Sequence, residues 1–162
     1  MDAVWKFLEH SMLGQAVSQS TWLFPAVETV HVIALALVVG SIAVLDLRLL
    51  DRSWRTRAVT ELTLDVLPWT WASFATAVVT GFMMFSSAAT KYAADIPFRI
   101  KMLLLLLAGV NMLVFHKFTY RGVAGWDHGV PTPRAAKAAG GLSLLFWIGV
   151  VTCGRWVGFT TQ

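Results

Sequence analysis

Four apolar stretches run through the chain, each about the length a bilayer requires, and polar segments separate them. The first extends from Trp22 to Arg48, WLFPAVETVHVIALALVVGSIAVLDLR, and between Pro25 and Leu45 only Glu28, Thr29, His31 and Ser41 are polar. Crossing a hydrocarbon layer takes roughly 20 residues at about 1.5 Å each. The pattern predicts spanning helices over roughly 24–47, 67–88, 97–118 and 138–158. Ahead of them Val4, Trp5, Leu8 and Met12 recur at helical spacing, with Lys6, Glu9 and His10 off that stripe. This predicts an amphipathic helix over 2–15, lying on the membrane surface or docked on the end of the bundle.

Small residues recur within the spans: Ala36 and Gly40 in the first, Ser73, Ala77 and Gly81 in the second, Gly149 and Cys153, then Gly154 and Gly158, in the fourth. Such spacing lets helix backbones approach closely in lipid. Pro97 suits the first turn of the third helix, and Pro131 and Pro133 sit in the polar loop before the fourth. The expected fold class is an all-α integral membrane protein, a single domain over 1–162. It is a four-transmembrane-helix bundle with an N-terminal amphipathic surface helix.

Composition supports this. Of 162 residues, 57% are hydrophobic and 14% charged, against about 25% charged in a soluble domain. Eight Trp and ten Phe fit interfacial aromatic belts. The net charge of +4 does not point to nucleic acid, because the basic residues lie in short loops beside apolar spans. Cys153 is the only cysteine, which leaves no intrachain disulfide and no Cys-based zinc site. Residues 1–19 do not read as a secretory signal, since Asp2, Glu9 and His10 interrupt them. Arg48, Arg52, Arg55, Arg57, Lys117, Arg121, Arg134 and Lys137 gather on one side, against Lys6, Lys91, Arg99, Lys101 and Arg155 on the other. The larger group belongs inside, so both termini are expected outside.

Within this frame the ionisable residues at membrane depth are the candidate site. Glu28 and His31 are three apart on one helix face. His31 is expected to hold a metal, foremost a haem iron, with Glu28 as an acceptor fixing the ring. The plain alternative is a histidine bonded to Glu28 or to Asn111 of a neighbouring helix. Counted from the outer helix ends, His31 lies about 10 Å deep, Lys101 about 6 Å, and Met84 and Cys153 about 6–8 Å. His116 lies about 28 Å down its helix, so the two intramembrane histidines differ by about 18 Å in depth. Ligands of one metal bring their nitrogens within about 4 Å, twice a metal–nitrogen bond, which sets aside a haem held by both histidines. His116, Asp46 and Arg48 near the inner face are expected to form a structural ion-pair set, with a second cofactor or proton relay as the alternative. His10 and His128 lie outside the spans and are expected to be solvated.

HVIALALVVGSIAVLDLRLL, followed later by FRIKMLLLLLAGVNMLVFH, resembles the bacterial membrane protoporphyrinogen oxidases of the HemJ type and the CopD-like copper-resistance membrane proteins. The residues carrying the likeness to the former are His31, Gly40 and Arg48 on one helix, and Lys101 and His116 on a later one. The elements WLFPAVETVH and DLRLL also resemble an uncharacterised family of small bacterial four-helix membrane proteins. The HemJ resemblance implies a haem b protein with a His and a Lys at the cofactor, here His31 and Lys101. Val32 to Val39 lacks the aromatic residue expected before the Gly, and the inner Arg is displaced by about one position. Both departures bear on protoporphyrinogen oxidation more than on haem binding.

The expected function is therefore a b-type haem protein of the bacterial inner (cytoplasmic) membrane, working in electron transfer or a membrane redox reaction. His31 would be one axial ligand and Lys101 or Met84 the other, with Arg99 and Arg155 meeting the propionates at the outer rim. Lys101 has the alternative of reaching to the surface with its stem in lipid. The expected partners are the lipid bilayer, a redox partner or quinone, and further copies of the chain packed through the small-residue stripes. One rival is a copper-binding membrane protein or permease using His31, Met83, Met84 and Cys153, whose sulfurs suit copper(I). The other is a cofactor-free structural subunit of a membrane complex.

Overall fold

A computed structural model describes residues 2–54 and 56–160. Among them every regular element is helical. These are α1 (Asp2–Glu9), α2 (Met12–Gln19), α3 (Leu23–Leu49), α4 (Val59–Ser87), α5 (Ala89–Ala94), α6 (Ile96–Val114) and α7 (Arg134–Thr160). A π-helical turn, Phe115–Thr119, and a 3-10 turn, Tyr120–Gly125, extend α6. Four helical stretches, Leu23–Leu49, Val59–Ser87, Ile96–Gly125 and Arg134–Thr160, are long and apolar enough to cross a membrane, which fits a multi-pass membrane protein.

The N-terminal segment is two helices rather than one over 2–15. Ser11 breaks it: its hydroxyl accepts from the Gly14 amide at 3.1 Å and caps α2. A serine oxygen competes well with the helix ladder at this position, so the chain turns there. Both helices dock on the bundle end. Trp5 packs edge-on against Phe85 at 5.6 Å, and a Glu9 carboxylate oxygen accepts from the Thr90 amide at 2.8 Å. Val17 is fully buried, while Phe7 and Met12 on the other side are exposed.

Helix α4 starts about two turns before the apolar pattern does, because its first turns carry Glu61 and Asp65 and extend past the apolar stretch. Pro68 lies inside it and removes one ladder hydrogen bond without ending the helix. Asp95 caps α6 by accepting from the Phe98 amide at 3.0 Å, with Pro97 in the first turn.

The helices form two close pairs, α3 with α4 and α6 with α7, joined along α3 and α7. Ser73 and Ala77 of α4 are buried, and with Gly81 they form the stripe that faces α3. On α3 the buried small residues are Ala34 and Val38. The expected Ala36–Gly40 stripe points away: both residues are exposed, and nothing lies within 4 Å of a Cβ placed on Gly40. The stripe that packs is the one in phase with the core face, half a turn round from it. Gly140 brings α7 onto α3, where an added Cβ would stand 3.1 Å from the Asp46 carbonyl oxygen. The mid-bundle core is Val38, Ala108, Trp147 and Val150, with Phe74 and Leu104 packed on it.

At the other end of the bundle a buried arginine gathers two loops. Arg48 is 1% exposed and donates to the Arg57 carbonyl at 2.9 Å, the Asp127 carbonyl at 3.1 Å and the Thr132 hydroxyl at 3.3 Å. Its carboxylate partner is Asp51, at 3.7 Å, and Asp51 also takes an ion pair from Lys137 at 2.8 Å and a hydrogen bond from Thr132 at 2.8 Å. The Asp127 carboxylate accepts from the Thr60 amide at 2.9 Å and its hydroxyl at 2.6 Å. Burial raises both carboxyls, but it is outweighed by the bonds from Lys137 and Thr132 at Asp51 and from Thr60 at Asp127, which hold each below its ordinary value. The expected set of His116, Asp46 and Arg48 does not form. Asp46 turns toward α7, His116 is exposed, and Arg48 pairs with a residue one turn on, beyond the helix end.

Candidate functional site

The His31 end of the bundle brings together side chains from four helices. His31 lies about 12 Å from the start of α3, Lys101 about 7 Å from the start of α6, and Thr80 and Cys153 about 10 Å from the ends of α4 and α7. They share a level because adjacent helices run antiparallel.

The His31 ring rests on α4. A Cβ placed on Gly81 would stand 3.0 Å from His31 Cε1, 3.5 Å from Nδ1 and 3.8 Å from Nε2, so the ring lies against a gap only glycine leaves. Its Nδ1 is 2.9 Å from Thr80 Oγ1. The Thr80 hydroxyl has one proton, and that proton goes to backbone: the Thr76 carbonyl is at 2.7 Å and the Ala77 carbonyl at 3.3 Å. With the proton so placed, Thr80 accepts from the ring. The Ala77 carbonyl, also within hydrogen-bonding reach of the ring, can only accept as well. With Thr80 accepting, Nδ1 carries the N–H and the Nε2 lone pair stays uncommitted. Thr80 is itself buried, so its geometry is set by packing.

Lys101 projects from α6 toward α7. Its Nζ is 3.9 Å from a Cβ placed on Gly154, and it lies within electrostatic range of both His31 and Cys153. Among the described residues no carboxylate pairs with it. Met84 is one turn from Gly81 on the same face of α4 and is half-buried. Met83 is about 200° round that helix from Gly81, so the two methionines do not act on one point.

Other expected positions fall elsewhere. Glu28 is exposed, and the partner that orients His31 is Thr80 instead. Asn111 donates to the Ala139 carbonyl at 2.9 Å and ties α6 to α7. Arg99 is exposed and donates to the Ala93 carbonyl at 2.8 Å, and Arg155 is exposed with its guanidinium 4.8 Å from the Phe159 ring. Both stand at the His31 end, which also carries the exposed Trp22 and Trp156. His116 sits in the π-helical turn about 30 Å along from the start of α6, with Nδ1 2.9 Å from the Met112 carbonyl. His10 and His128 are exposed.

Thr80 is the residue that sequence reasoning misses. A threonine in an apolar helix ordinarily bonds back to its own ladder, which Thr80 also does, so nothing in its type betrays a second role. The available signal was depth: counted from the helix end, it falls at the level of His31.

Among the described residues, no group of three or more His, Cys, Asp or Glu side chains converges as a metal site. A family model matches residues 4–160. The chain belongs to the family of unknown function DUF6644. The match covers all four long helices and both docked ones, so the family is the whole bundle. No curated protein and no solved structure matches the chain.

Proposed function

We propose that this DUF6644 member is a b-type haem protein of the bacterial inner membrane, in which His31 Nε2 would hold the haem iron, working in electron transfer or a membrane redox reaction. The observation that carries the reading is the 2.9 Å contact from His31 Nδ1 to Thr80 Oγ1: with the Thr80 proton on backbone, Nδ1 donates and Nε2 keeps a ligand lone pair on a ring braced by Gly81. Ligating histidines are held in this way, through the nitrogen away from the metal.

The residues present fit a haem better than a bare metal ion. A porphyrin supplies four of the iron's ligands, so the protein needs one or two, and one imidazole with an amine or thioether nearby is such a set. Lys101 or Met84 would be the second ligand, and Arg99 and Arg155 at the rim would meet the propionates. When bound, the haem would supply a one-electron couple whose potential follows the axial ligands and the dryness of the pocket. The chain's own part is to hold Nε2 in place, keep water out with the packed α3–α4 face, and leave the rim charged. The copper reading is weaker, because Met83 and Met84 point apart. On the weight of the loop arginines, the Arg48 end would lie inside and both termini outside.

An absorption spectrum of the protein, purified with its native cofactors, tests the reading. The expected result is a Soret band with split α and β bands on reduction, lost in His31→Ala and kept in His116→Ala. A colourless protein carrying stoichiometric copper, or a colourless protein carrying none, would overturn it in favour of the copper protein or the structural subunit.

A further inference from the structure

Asp46 belongs to neither the His31 site nor the Arg48 clamp. It sits one turn before the end of α3 and is 6% exposed, and its Oδ2 is buried with no hydrogen-bond partner among the described residues. Gly140 lets α7 close directly over this turn, and Ser143 of α7 lies within hydrogen-bonding reach of the carboxyl.

The cations around it are committed elsewhere. Arg48 is two residues on, so it leaves α3 on a different side, and its guanidinium is held by Arg57, Asp127, Thr132 and Asp51. Lys137 of α7 pairs with Asp51, and Arg134 is exposed. Beyond α3, Asn111 is uncharged and bound to the Ala139 carbonyl, and His116, which borders a cavity with Leu45 and Leu49, is exposed with Nδ1 on the Met112 carbonyl. On α4, Glu61 is exposed and Asp65 pairs with Arg57. A carboxylate here would be a desolvated charge with no cation answering it. Groups so placed lose the charge rather than bear its desolvation.

We propose that Asp46 is a proton-binding site of the bundle, a carboxylic acid carried between α3 and α7. The ligand is one proton, taken up by the carboxylate to form an O–H bond, and no other bond changes. Ser143 is the hydroxyl placed to share hydrogen bonding with the acid. The site is independent of any haem at His31.

Infrared difference spectroscopy on the full chain in phosphatidylcholine vesicles tests this. The wild type should show, at neutral pH, a protonated-carboxyl C=O band above the amide I region that shifts in D2O and disappears in Asp46→Asn. Asparagine mimics the neutral acid, so that variant should keep its helix content and thermal transition. A wild type lacking the band at neutral pH, or an Asp46→Asn protein retaining it in full, would overturn the proposal. If the variant does not fold, wild type carrying 13C at the aspartate carboxyls gives the same reading without substitution. A thermal transition that rises with sodium in the wild type and not in Asp46→Asn would put a metal cation where we place the proton, and would also overturn it.

Discussion

Replacing Thr80 by valine removes one oxygen from beneath His31 and leaves the shape of α4 almost unchanged. The lost contact is the 2.9 Å bond to Nδ1. A buried donor stripped of its partner costs about 1–3 kcal/mol. His31 is only half-buried, so the folded chain should lose only about 1 kcal/mol. The cofactor should feel more. Removing the group that orients a ligating histidine typically weakens metal binding about 10–100-fold, or about 1.4–2.8 kcal/mol at 1.4 kcal/mol per tenfold. Titrating haem into the apoprotein and following the Soret band gives the affinity, and thermal unfolding of the apoprotein gives the stability. Thr80→Ser keeps the oxygen and should stay near wild type. If Thr80→Val binds haem as tightly as wild type while His31→Ala does not bind, the hydroxyl does not orient the ring and the tautomer argument fails.

Three further outcomes follow from the packing and the clamp. Gly14→Ala would place a Cβ 2.5 Å from the Leu8 carbonyl oxygen and 2.6 Å from that of Ser86, and backbone atoms cannot swing aside. It should undock α1 and α2 at a cost of about 1–3 kcal/mol, seen as faster proteolysis before residue 20 with the long helices intact. Arg48→Met should cost about 3–5 kcal/mol in thermal unfolding in detergent, because it frees three carbonyl or hydroxyl partners at once, at about 1–3 kcal/mol for each left unmet, while Asp51 keeps Lys137 and Thr132. The Asp51 and Asp127 carboxyls are held below their ordinary 3.8 in the folded chain, so their contribution is full above that value and is lost as pH falls through the lowered ones. Thermal stability should therefore drop below about pH 4, and Asp51→Asn should flatten that drop while lowering stability at neutral pH.

The long helices were legible because a bilayer demands a length, and apolar runs record length directly. Their exact ends were not. The first turns of α4 are polar and lie beyond the apolar run, so hydropathy could not see Val59 as its start. The break at Ser11 was invisible to a periodicity that carries on across it, since the cap is a local bond and not a pattern. At the site, counting residues along helices placed His31 and Lys101 at one level and His116 far below, which the structure also does. Such counting gives depth but not azimuth. It could not tell that Glu28 faces outward, that Met83 and Met84 diverge, or that Gly81 passes under the imidazole. The Arg48 clamp lies further from reach still. Its partners Asp51, Asp127 and Thr132 come from loops brought together only by the fold.

The central claim is that His31 Nε2 bonds to iron. Pulsed electron paramagnetic resonance on the oxidised protein, grown with 15N-histidine, reads that bond as a nitrogen hyperfine coupling. The account predicts a coupling from a directly bound imidazole that vanishes in His31→Ala and persists in His116→Ala. A coupling that survives in His31→Ala would contradict it.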